Sequence, residues 1–101
     1  MFNIDFVENE ELVVYLSGDL DINTVRQFQD EVLKNYSQVD KDFVFDLKYL
    51  DYIDSTGLGA IITVYKEVND KGNKLKVINA KKNVRKLFFI TELDSLFEIG
   101  E

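Results

Sequence analysis

The amino-acid sequence predicts one α/β domain over residues 1–101: a mixed sheet of four to five strands with helices packed against it, in the order β-β-α-β-α-β-α-(β). Three observations lead there. The length of 101 residues suits a single hydrophobic core, which at this size buries roughly two thirds of the surface of the unfolded chain. Hydrophobic residues make up 46% and charged residues 31% of the chain, the balance of an ordered globular protein. The apolar spacing switches repeatedly between the strand period of about two and the helix period of about 3.6. Alternating strands and helices favour parallel strand pairs joined by right-handed crossovers.

Phe2-Asn3-Ile4-Asp5-Phe6 alternates apolar and polar residues, the pattern of a half-buried strand. Glu8 to Glu11 is a polar break, and Leu12 to Leu16 is an apolar run suited to a more buried strand. The two are expected to pair as an antiparallel hairpin. Gly18-Asp19-Leu20-Asp21 reads as a loop. From Ile22 the period becomes helical. Ile22, Val25, Phe28, Val32, Leu33 and Tyr36 share one face, Arg26, Gln27, Asp30, Glu31 and Lys34 the wet one. Asp21 or Asn23 is placed to cap this helix.

Phe43 to Leu47 reads as a central strand covered on both faces, with Tyr49, Leu50, Tyr52 and Ile53 carrying apolar side chains into the next loop. A second helix begins after Asp54, with Leu58, Ile61, Ile62, Tyr65 and Val68 in helical register and Gly72 at a left-handed stop. Leu75 to Ile78 is a short strand. Val84, Leu87 and Phe88 define a third helix from about Lys81 to Phe89. Leu93, Leu96, Phe97 and Ile99 supply an apolar tail for a final edge strand.

Composition removes whole classes of chemistry. The chain has no Cys and no His, hence no disulfide, thiolate nucleophile, imidazole base or zinc site built on those ligands. No P-loop is present, and Gly57-Leu58-Gly59 is a lone GxG, so no cofactor, metal site or catalytic residue is expected. A net charge of −7 argues against affinity for nucleic acid or anionic lipid. No apolar run approaches the ~18 residues of a membrane span, and the first residues carry no secretory signal. The expected location is the cytoplasm. Charge is uneven: residues 1–60 hold 13 acidic and 4 basic residues, whereas Lys71 to Lys86 holds seven basic residues and no acidic one. That stretch reads as a solvated strand and helix edge, or as a patch for a phosphate or an acidic partner.

The most informative segment is Asp54-Ser55-Thr56-Gly57-Leu58-Gly59, which joins a buried strand to a helix. Ser55 stands where an N-cap is expected. Two glycines in a first helical turn cost about 1 kcal/mol each against alanine. They imply either a backbone kept bare for close approach or a tight strand-to-helix turn. A helix N-terminus also favours negative charge, so a phosphoryl group on Ser55 would be partly accommodated while adding roughly −1.5 to −2 charge. Asp19 and Asp21 leave another strand end that can lie on the same side of such a layer.

These residues carry a family resemblance. Phe45-Asp46-Leu47 followed by Leu50-Asp51-Tyr52-Ile53-Asp54-Ser55-Thr56-Gly57-Leu58-Gly59-Ala60-Ile61 resembles the signature of STAS domains, and of bacterial anti-sigma factor antagonists in particular. Leu16-Ser17-Gly18-Asp19-Leu20-Asp21 with Thr24 resembles their second recurring segment, and Val84 to Phe88 with Leu93 their third helix and the stretch after it. The resemblance implies a STAS-like fold and a binding module rather than an enzyme. It implies a serine-kinase anti-sigma factor as partner, whose binding frees a sigma factor, phosphorylation at Ser55 that breaks the complex, and a separate phosphatase that restores it. It also implies a contact surface of Asp19, Asp21, Asp54, Ser55, Thr56, Gly57 and Leu58. The module is expected to be monomeric, with free strand edges offering weak dimerisation. Members of the family usually carry a further helix after the last strand, whereas this sequence stops at Ile99-Gly100-Glu101. Two other uses stay open at this point: a STAS scaffold or accessory subunit without phosphorylation, and a small nucleotide- or anion-binding domain.

Overall fold

The computed structural model describes residues 1–101. Strands β1 (Asn3–Glu8), β2 (Leu12–Leu20), β3 (Phe43–Ile53), β4 (Leu75–Ile78) and β5 (Glu98–Ile99) form one sheet in the spatial order β1-β2-β3-β4-β5. Helices α1 (Val25–Tyr36), α2 (Ser55–Asp70) and α3 (Lys82–Ile90) provide the crossovers, and a short 3-10 turn at Leu93–Ser95 precedes β5. β1 and β2 pair antiparallel, while every later pair is parallel. The three crossovers therefore step across the sheet in one direction, and right-handed connections then place all three helices on one face.

Side-chain alternation puts the core on that face. Leu12, Val14, Leu16 and Leu20 of β2, Phe43, Phe45 and Leu47 of β3, and Leu75 and Val77 of β4 meet Phe28 and Val32 of α1 and Ile61, Val64 and Val68 of α2. The Phe28, Phe43 and Phe45 rings run through its centre, with centroids 4.7 Å apart for Phe43 and Phe45 and 5.7 Å for Phe28 and Phe45. Aromatic pairs at such spacings add to area burial. Lys71 at the end of α2 and Gly72 beyond it close a Schellman motif. Gly72 N donates to Asn69 O at 2.9 Å and Asn73 N to Val68 O at 3.1 Å, with Gly72 at φ +79° as the left-handed stop requires.

Several sequence expectations are corrected. Gly18-Asp19-Leu20 is not a loop but the last part of β2, because β3 runs on to Ile53 and gives it a partner. Register shifts at Tyr15/Ser17 and Gly18/Asp19, with Gly18 at φ +90°, let both strands stay paired through the bulges. For the same reason Tyr49 to Ile53 is strand, not loop. Ile22 does not lie on the buried face of α1. It precedes the helix and is 71% exposed, since residues 21–24 form a separate turn and Thr24, not Asp21 or Asn23, is the capping position. Ser55 is not the cap of α2 but its first residue, and Asp54 is the cap. The apolar tail is mostly not strand either: Leu93 lies in the 3-10 turn, Leu96 is exposed, Phe97 packs into the core, and only Glu98–Ile99 pairs with β4. The other elements fall within a residue or two of the expected bounds.

Candidate functional site: the corner after the central strand

The carboxyl ends of β2 and β3 lie side by side. Asp19 pairs with Tyr52 and Leu20 with Ile53, and Asp54 N donates to Leu20 O at 3.2 Å. Leu20 and Ile53 are buried and anchor the corner to the core. Asp54 comes next in an extended conformation, which suits an N-cap. Its Oδ1 accepts from Gly57 N at 2.9 Å and from the Thr56 hydroxyl at 2.6 Å. Its Oδ2 accepts from Ile22 N at 3.2 Å. One carboxylate thus starts α2 and ties it to the turn after β2. The Thr56 hydroxyl, helped by the amides of Gly57 and Ile22 and opposed by partial burial, holds the Asp54 carboxyl below its ordinary range.

The turn after β2 is organised by two of its own residues. Asp21 Oδ1 accepts from Asn23 N at 2.9 Å, and the Asp21 carbonyl accepts from Val25 N at 2.9 Å. The Thr24 hydroxyl donates to Asp19 O at 2.8 Å and accepts from Asp21 N at 3.0 Å. Asp19 is exposed beside this turn.

Ser55 is exposed. The bonds that fix the corner run through Asp54, Thr56 and Gly57 and leave its hydroxyl free. The first-turn amides of a helix lack intrahelical acceptors, and here the Asp54 carboxylate takes up that of Gly57, so a charged cap lies next to Ser55. The two glycines are unlike. A Cβ on Gly57 would stand 2.6 Å from Leu20 O and 2.8 Å from Ile53 Cγ1, whereas one on Gly59 would meet nothing within 4 Å. Gly57 permits internal packing of α2 on the strand ends; only Gly59 leaves bare backbone outward.

The structure brings Asp19, Asp21, Asp54, Ser55 and Thr56 together at one corner, as the sequence groups them. Gly57 and Leu58 belong to the same corner but face the core. Sequence reasoning missed Ile22, whose link to Asp54 spans 32 positions and leaves no trace in local spacing. It also missed Val64 as core, although Val64 lies three residues after Ile61. The Lys71–Lys86 stretch is not one patch. Lys71 is drawn in to the carbonyls of Tyr36 and Val39, Lys76 reaches Glu11, Lys81 pairs with Asp51, and Arg85 lies over the Phe89 ring. A cavity of about 410 Å³ sits at the opposite end of the sheet between Asp42, Tyr65, Asn73 and Phe97, and a shallower one of about 500 Å³ lies between Phe6, Glu31 and Val39; neither includes any of the corner residues.

The chain is thus a two-layer α/β domain with an exposed serine opening the helix after its central strand. Residues 3–101 match the STAS domain family, and the chain belongs to it. It is 31% identical over 99 residues to the anti-sigma-B factor antagonist of Bacillus subtilis, a match covering 97% of this chain and 90% of that protein. The fold is similar to that of an anti-sigma factor antagonist from Mycobacterium paratuberculosis, with TM-score 0.89, 19% identity and coverage of 99% of this chain and 86% of the other. It is also similar to the Bacillus cell fate determinant SpoIIAA in its phosphorylated form, with TM-score 0.74, 22% identity and coverage of 100% and 91%. No helix is long and apolar enough to cross a membrane.

Proposed function

We propose that this protein is an anti-sigma factor antagonist that works as a phosphorylatable binding module and not as an enzyme. In the unmodified state the corner of Asp19, Asp21, Ile22, Ser55 and Thr56 docks on a serine-kinase anti-sigma factor, which releases its sigma factor. The kinase, which brings its own nucleotide and metal ion, transfers a phosphoryl group to Ser55 Oγ. The complex then separates, and a serine phosphatase restores the free hydroxyl. The observation that carries this reading is Ser55 itself, exposed and unbonded at the first position of α2 in a corner otherwise locked by Asp54. The likeness to the B. subtilis anti-sigma-B factor antagonist supports it.

The switch is electrostatic. A phosphoserine adds roughly −1.5 to −2 charge beside Asp54, whose bonds hold it ionised, and near Asp19 and Asp21. The positive end of the helix dipole offsets part of the new charge, so the domain stays folded while the surface it offers becomes more acidic.

The test is phosphosite mapping on protein from its own cells, with binding to the co-purified kinase. Ser55→Ala is expected to bind the kinase and take no phosphate. Ser55→Asp is expected to bind at least roughly tenfold more weakly, about 1.4 kcal/mol, with its unfolding midpoint unchanged or slightly raised. Equal binding by Ser55→Asp would end the electrostatic account, and a chain never phosphorylated under any growth condition would end the switch.

A further inference from the structure

Apart from the terminal Met1, the most exposed large hydrophobic residue of the chain is Ile22, at 71%. A lone exposed apolar side chain is ordinary on a protein surface. Ile22 differs in how it is held. The turn that carries it, residues 21–24, is bonded throughout. Asp21 Oδ1 accepts from Asn23 N at 2.9 Å, and the Asp21 carbonyl accepts from Thr24 N at 3.1 Å. The Thr24 hydroxyl donates to Asp19 O at 2.8 Å and accepts from Asp21 N at 3.0 Å. Ile22 N itself donates to Asp54 Oδ2 at 3.2 Å. The other oxygen of that carboxylate caps α2, whose first residue is Ser55. One side chain therefore fixes Ile22 and Ser55 relative to each other across a long stretch of sequence. The turn is ordered before any partner arrives, so burying Ile22 costs little further backbone entropy. A β-branched side chain also has few rotamers to lose.

We infer that Ile22 is the apolar anchor by which the kinase recognises the Ser55 corner, and that Asp54 is a positioning residue that sets Ile22 against Ser55. The inference rests on the reading of this corner as the docking surface, and it adds the chemistry of the partner. The complementary site is an apolar socket of the size of an isoleucine side chain. Its rim carries cationic or N–H donor groups, because the exposed Asp19 carboxylate beside the turn takes part in none of the chain's ion pairs and would otherwise be covered without a partner. A rigid apolar group enclosed by polar contacts that exclude water is the arrangement in which single residues dominate a binding energy. Ile22 touches no reacting atom. It decides how firmly Ser55 is held in the kinase and leaves phosphoryl transfer itself alone, so its effect belongs to affinity and KM and not to kcat.

The test uses the intact chain and the serine kinase that co-purifies with its Ser55→Ala variant. Binding is titrated in the Ser55→Ala background, and phosphorylation is followed with Ser55 present and ATP as donor. Ile22→Ala is expected to weaken binding roughly tenfold and to raise KM for phosphorylation by a similar factor at constant kcat. Its unfolding midpoint is expected to stay unchanged, since the side chain lies outside the core. Ile22→Val, one methylene shorter, is expected to bind within about threefold of the parent chain. Asp54→Asn keeps an oxygen for Gly57 N but turns an amide donor toward Ile22 N, and is expected to weaken binding about threefold, again through KM. The control is Ile90→Ala, at the far end of α3 and 62% exposed, which is expected to change neither quantity. Binding that Ile22→Ala leaves intact would overturn the inference while the docking corner stands. So would a fall in kcat at constant KM, or an equal loss from Ile90→Ala. Full binding by Asp54→Asn would remove the positioning role. If no kinase co-purifies, this inference and the proposed function fall together.

Discussion

At the amino ends of β3 and β4, polar groups are closed on one another. Lys71 Nζ donates to Tyr36 O at 2.7 Å and Val39 O at 2.8 Å, and lies 4.3 Å from the centre of the Tyr36 ring. The Tyr36 hydroxyl donates to Lys41 O and accepts from Asn73 Nδ2, which also donates to Asp40. Burial pushes the Tyr36 hydroxyl above its ordinary value, with the Asp40 and Asp42 carboxylates adding to the rise and the Asn73 bond opposing it. At the carboxyl ends of β2 and β3 a similar density of bonds converges on Asp54, but it surrounds a serine that takes part in none of them. One end uses its polar side chains to finish the fold. The other uses them to hold a hydroxyl in place while leaving it accessible. A cavity of about 410 Å³ marks the first end, so this concave surface and the exposed serine lie at different ends of the molecule.

That contrast can be broken most sharply at Gly57. Gly57→Ala forces a Cβ against Leu20 O and Ile53 and is expected to cost about 2–3 kcal/mol, as overpacking a closed site does. Gly59→Ala, with open space around its Cβ, is expected to add about 0.5–1 kcal/mol of stability. Urea unfolding of the two variants measures both. A neutral Gly57→Ala would mean that the corner yields and does not hold Ser55 rigidly.

Next in size is Lys71→Met, which leaves the carbonyls of Tyr36 and Val39 without their cation. A loss of about 1–2 kcal/mol is expected, with partner binding at the Ser55 corner unchanged. Loss of binding at constant fold would show that the two ends are coupled.

The smallest effects belong to Asp54. Asp54→Ala removes the cap and is expected to cost about 1 kcal/mol, whereas Asp54→Asn keeps a capping oxygen and costs a few tenths. Because the folded carboxyl titrates below its ordinary range, its contribution is complete above the unfolded value near pH ~4 and fades as pH falls through the folded one. Unfolding free energy measured from neutral to acid pH is expected to fall less steeply for Asp54→Asn below pH ~4. An identical acid limb would place the stabilising charge elsewhere.

The legible parts of the sequence are those in which local pattern and global fold agree. β4 spans Leu75–Ile78 as its four residues suggest, α2 starts where Asp54-Ser55 breaks the strand, and Gly72 stops it. The illegible parts depend on a partner far along the chain. Gly18-Asp19-Leu20 has the composition of a turn and becomes strand because Tyr52 and Ile53 lie beside it. Ile22 fits a helical face by spacing, yet it is held outside the helix by a carboxylate from residue 54. Ser55 and Asp54 are both capping residues by type, and the choice between them rests on which one continues the extended backbone of β3.

The sequence by itself determined the order of strands and helices, the apolar faces that build the core, and the DSTGLG segment that marks the site. These are encoded by periodicity and by residues whose conformational preferences act within a few positions. Only the tertiary structure decided which carboxylate caps α2, that Gly57 packs inward while Gly59 faces out, that the basic stretch is dispersed, and that one sheet face is left bare. Those outcomes depend on pairing register and on contacts between residues some thirty positions apart, and such distances enter the physics only once the chain has folded.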